Sequence, residues 1–150
     1  MCGPSPVCIG DMALIGRLHP MLVHFPIGLV LIAAAAEVVA MMTDLRAWRI
    51  VAVANVRIGA ALGIGAAMAG WRLASSPGMQ ATSALEWHRW LGTIAAVAAF
   101  GAALATASAG SRSPSGRWVY RTALFWAAAL VAIAGHFGGL LVWGADFLRP

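Results

Sequence analysis

Four long apolar stretches, divided by short polar ones, set the pattern of this chain. They run from about Pro20 to Met42, Trp48 to Leu73, Leu85 to Ser108 and Trp118 to Trp143. Each meets the roughly 20 apolar residues that a helix needs to cross the hydrocarbon of a bilayer. Alanine, leucine and glycine dominate them, with no alternation of period two. In lipid a helix satisfies its own backbone, whereas an open strand does not. The pattern therefore predicts an all-α fold, an integral membrane four-helix bundle of up-down topology. Thr43–Ala47 reads as a tight turn, and Ser75–Ser83 and Ala109–Arg117 as loops rich in glycine, proline and serine. On this reading residues 1–17 form an N-terminal tail and 18–147 one transmembrane domain.

Composition strengthens the membrane assignment. The 150 residues are 61% hydrophobic and 10% charged, against about a quarter charged in soluble domains. All ten basic residues are arginine, and they lie singly, mostly at span ends, so the net charge of +5 does not describe a nucleic-acid surface. Trp48, Trp71, Trp87, Trp90, Trp118 and Trp143 mark span boundaries in the manner of an interfacial aromatic belt. Four spans put both termini on one side with Arg17, Arg72, Arg89 and Arg149. The other side carries Arg46, Arg49, Arg112, Arg117 and Arg121. The positive-inside rule then makes the second group cytoplasmic and both termini periplasmic. Cys2 and Cys8 precede the first span and form neither a C-x-x-C pair nor a covalent-haem signature; a local disulfide and two separate thiols are both open. Met1 to Met12 lacks basic charge and does not resemble a cleaved signal peptide.

Two charges fall inside the apolar stretches. Glu37 lies six residues before Thr43 and Arg57 nine after Trp48, which sets both roughly 10 Å deep. Similar depth on neighbouring antiparallel helices predicts an ion pair between them. Gly59 and Gly63 form a G-x-x-x-G step, whose default role is close helix packing. A faint repeat sets HFPIG (His24–Gly28) against HRWLG (His88–Gly92), 64 residues apart.

The candidate chemistry lies in four histidines, His19, His24, His88 and His136, all in the half of the bundle nearest the termini. Histidine is costly in hydrocarbon and usually faces a bundle interior, a cavity or a ligand. Gly28 lies one turn deeper than His24 and Gly92 one turn deeper than His88, while Ala132 is one turn deeper than His136, with Gly135, Gly138 and Gly139 around it. Small residues beside an imidazole leave room for a flat macrocycle, and bundle cores hold cofactors in this way. Imidazole is a common axial ligand of haem iron. Depth pairs His24 with His136 and leaves His19 with His88 for a second metal; the repeat pairs His24 with His88. Both remain open, and for His19 alone a plain interfacial role is preferred. Arg17, Arg72 and Arg89 would meet haem carboxylates at the rim. No H-E-x-x-H, G-x-S-x-G or P-loop pattern occurs.

Three blocks, LHPMLVHFPIG, HRWLG and GHFGGLLVWG, carry all four histidines. Through them the chain resembles a bacterial membrane-protein family catalogued as domain of unknown function 2231, over about Leu18 to Gly144. The resemblance implies a four-helix membrane module, associated in some relatives with cytochrome c domains, and hence respiratory or redox chemistry. This chain lacks a c-type haem motif, so a covalent-haem partner would be a separate protein.

Together these readings predict a non-catalytic, b-type cytochrome-like electron-transfer subunit of an oxidoreductase complex in the bacterial inner membrane. It would hold one haem b, or two, through His24, His136, His88 and His19, with Gly28, Gly92, Gly135 and Arg89 around the site. Its partners would be the lipid bilayer, a periplasmic redox protein or cytochrome c, quinone and other membrane subunits. The alternatives are a haem-free structural subunit of a respiratory complex and a metal- or quinone-binding membrane module.

Overall fold

The structure, a computed structural model, describes residues 16, 18–77, 79–109 and 114–144. Its helices are α1 (His19–Leu22), α2 (His24–Thr43), α3 (Arg46–Ala74), α4 (Ser83–Ala109) and α5 (Pro114–Trp143). The joint between α1 and α2 is chemical. Val23 keeps right-handed helical dihedrals, but Pro26 has no N–H to offer the Leu22 carbonyl one turn back. The two therefore form one rod, His19–Thr43, and the bundle has four rods long and apolar enough to span a membrane.

The helix ends follow local chemistry. Asp44 closes α2 in the left-handed conformation (φ 55°), its N–H bonded to the Ala40 carbonyl, a conformation aspartate tolerates better than most residues. Gly144 ends α5 at φ 79°, its N–H bonded to the Leu140 carbonyl, the usual use of glycine past a helix end. The last span starts earlier than its apolar stretch suggests. Pro114 begins it, because a proline in the first turn forfeits no helical hydrogen bond.

The rods pack in a ring: α2 on α3, α3 on α4, α4 on α5, and α5 back on α2. The interior is built from small side chains, with Ala33, Ala60, Ala99, Ala102 and Ala127 buried around Val30, Val56 and Leu124. The large apolar residues, among them Ile32, Ile58, Met68, Val97, Leu104 and Trp126, point outward. Lipid removes the drive to hide large side chains, so small ones that let backbones approach collect inside. Gly59 is one such approach: a Cβ there would lie 3.1 Å from Leu29 Cβ and from Val30 Cγ2. The G-x-x-x-G step thus faces α2 of the same chain.

The expected pairing of Glu37 with Arg57 does not form. Glu37 is fully buried and accepts a 2.8 Å hydrogen bond from Arg121 Nε, with Arg49 Nε 3.8 Å away. Arg57 instead donates to Thr106 Oγ1 at 2.9 Å. Depth was matched but azimuth was not: Arg57 is eight residues from Arg49, about 80° further round the helix at 100° per residue, and so faces α4.

Candidate functional site

At the end of the bundle that carries the connection between α3 and α4, the four rods splay around a cavity of about 770 Å³. His19, from the first turn of the first rod, and His88, from the second turn of α4, both project into it. Their rings stand 5.9 Å apart, centre to centre, nearly perpendicular at 75°.

Each ring is held in the same way. His19 Nδ1 lies 2.8 Å from the carbonyl oxygen of Ala66 on α3, and His88 Nδ1 lies 3.0 Å from that of Ala134 on α5. A carbonyl only accepts, so each Nδ1 carries the proton and donates. In the neutral ring that leaves the Nε2 lone pair free. These carbonyls already belong to helical ladders, and glycines make them reachable. Gly70 stands one turn after Ala66, and Gly138 one turn after Ala134. A Cβ on Gly70 would fall 2.7 Å from His19 Cε1, and one on Gly138 would fall 3.0 Å from His88 Cε1. Without those side chains the rings lie against the helix backbones and meet the carbonyl oxygens beneath.

The arrangement repeats between the two hairpins. His19 and His88 are 69 residues apart; Ala66 and Ala134, like Gly70 and Gly138, are 68 apart. The structural repeat therefore matches His88 to His19, not to His24 as the short HFPIG and HRWLG blocks suggest.

The other histidines sit differently. His24 borders the cavity but is exposed. His136 is exposed, does not line the cavity, and stands edge-on to Phe137 with ring centres 5.9 Å apart. The structure does not bring these two together. His24 is five residues from His19, about 140° round the rod, and His136 is two from Gly138, about 200° away. Gly92 and Gly135 line the cavity, whereas Gly28 does not. Among the described residues no group of three or more histidine, cysteine, aspartate or glutamate side chains could hold a metal ion; Cys2 and Cys8 lie outside them.

Arg89 follows His88 and also lines the cavity. Its guanidinium carbon lies 4.0 Å over the centre of the Trp71 ring, and its buried Nε has no hydrogen-bond partner among the described residues. Trp71 is fixed in turn: Nε1 donates to Thr93 Oγ1 at 2.9 Å, and the Thr93 hydroxyl donates to the Arg89 carbonyl at 2.8 Å. A cation is thus stacked beside the histidine pair with a donor to spare. The sequence marks Trp71 only as an interfacial anchor and does not single out Thr93; a tryptophan near the α3 end level with a threonine one turn after Arg89 is the signal the chain carries.

Fold and site define a four-span helical membrane protein with an imidazole pair in a cavity at one end. The family described as Predicted membrane protein (DUF2231) matches residues 17–147, and the chain belongs to it. Among the curated proteins and the solved structures nothing matches.

Proposed function

We propose that His19 and His88 would hold a single haem b, and that the protein is a b-type electron-transfer subunit. The observation that carries this reading is the close imidazole pair, each ring anchored through Nδ1 so that Nε2 is the nitrogen left to a ligand. Such an anchor on the second nitrogen is the usual support of a metal-bound histidine. The ring centres stand 5.9 Å apart, and the Nε2 of each would be the atom offered to a metal. Two protein ligands suffice for a metal whose remaining ligands come from a macrocycle.

The surroundings fit that guest. The cavity volume of about 770 Å³ lies within the usual range for small-molecule sites. Gly92 and Gly139 border it, and a Cβ added at either meets nothing within 4 Å. Arg89 offers a charged donor to a carboxylate such as a haem propionate. When bound, the haem would carry one electron at a time. The chain's own residues fix the ligand tautomers, hold the rings apart and neutralise the carboxylate edge. With the arginine-richer end taken as cytoplasmic, the cavity opens toward the periplasm of a bacterial inner membrane. Its electron partners there would be a periplasmic redox protein or cytochrome c, with quinone or another membrane subunit completing the path.

A reduced-minus-oxidised visible spectrum of protein purified from a haem-sufficient host, with haem and metals quantified per chain, tests the proposal. The expected result is one haem per chain, lost in His19→Ala and His88→Ala but kept in His24→Ala and His136→Ala. A haem-free protein holding copper or zinc, or haem loss confined to the His24 and His136 variants, overturns it.

A further inference from the structure

Away from the histidine cavity, α3 and α4 leave a second hollow of about 420 Å³ on the outside of the bundle. Ile64, Phe100 and Leu104 line it together with four alanines, Ala61 among them. One residue in it is charged, Arg57, and Arg57 is exposed. Among the described residues its hydrogen bond goes to Thr106, and no carboxylate pairs with it.

The position of that charge narrows what meets it. Thr106 lies three residues before the end of α4, about 5 Å along the axis. The side chain thus carries its guanidinium to within about one turn of the helix end, toward the head-group side of a bilayer that these rods would span. Nε is engaged by Thr106, which leaves the terminal N–H groups of this exposed residue for another acceptor. Arginine binds phosphate oxygens through paired N–H groups. From this end the hollow runs inward past Ala61 to Ile64 on α3, and past Leu104 to Phe100 on α4, along the course of an acyl chain. Glu37 is buried and already paired with Arg121, so among the described residues the bundle interior offers Arg57 no carboxylate.

We infer that this hollow is a binding site for one anionic phospholipid, its phosphate on Arg57 and an acyl chain lying between α3 and α4. A net negative head neutralises the guanidinium, whereas a zwitterionic head brings its own ammonium to compete. The inference is independent of the haem reading.

Native mass spectrometry of the intact chain, stripped of lipid and titrated with phosphatidylglycerol or phosphatidylcholine, tests it. The wild type should retain phosphatidylglycerol about tenfold more tightly than phosphatidylcholine, and Arg57→Gln should lose about that factor, the worth of one charge-assisted contact. Ala61→Phe, which fills the hollow and leaves the charge, should weaken binding similarly and serves if the Arg57 variant does not fold. Equal retention of the two lipids, unchanged binding in the variants, or displacement by a quinone at equimolar concentration overturns the inference.

Discussion

At Gly70 an added Cβ would meet the His19 ring at 2.7 Å, and at Gly138 it would meet the His88 ring at 3.0 Å. Neither ring can yield without giving up its carbonyl, so Gly70→Ala and Gly138→Ala should each cost about 1–3 kcal/mol of stability and abolish any haem content that the wild type proves to have. Gly70→Ala should be the worse, because its contact is closer. Gly28→Ala meets nothing within 4 Å and should be neutral, or stabilising by up to about 1 kcal/mol. Thermal unfolding in detergent, run beside ligand content, checks all three. This level of detail was only partly legible in the sequence. That His19, His88, Gly92, Gly135 and Arg89 lie at one end followed from depth along each span. Which rings face inward did not, because depth is counted in residues while facing depends on the rotation of each rod. The clue in the chain was the pairing of Ala66 with Gly70 and of Ala134 with Gly138. A small residue one turn beyond a carbonyl uncovers it, and only a ring from another helix gives that gap a purpose.

At the scale of the helices, the apolar stretches found the four rods because lipid leaves the backbone no alternative to internal hydrogen bonding. Their charged contacts were misjudged for the reason already met at the histidines: Arg57 has the right depth for Glu37 and the wrong face. The true partner, Arg121, comes from the last rod, and no local spacing relates it to Glu37. This contact joins the first rod to the fourth, with Arg49 of α3 alongside. Glu37→Ala leaves those arginines without their counter-ion and should cost about 3–5 kcal/mol, seen as a markedly lower unfolding midpoint. Tyr120 reverses the usual expectation. Its hydroxyl is buried without a hydrogen-bond partner among the described residues, and an unmet polar group is a burden in the folded state. Tyr120→Phe should therefore leave the midpoint unchanged or raise it.

Across the whole molecule, the imidazole pair takes one member from each hairpin: His19 from the first two rods, His88 from the last two. Anything that binds both binds only the docked bundle, and a ligand confined to the folded state stabilises it by mass action. Haem-loaded protein should accordingly unfold at a higher temperature than haem-depleted protein. The gap should vanish in His19→Ala and His88→Ala and persist in His136→Ala. Differential scanning fluorimetry of matched samples measures it.

A haem held by both imidazoles would thus buckle the two halves together. On that reading a copy made while porphyrin is scarce would stay less firmly fastened, and its hairpin seam would open more often to membrane proteases. The abundance of this protein would then follow the cell's supply of the guest with no dedicated sensor, because the empty form is the one that is cleared.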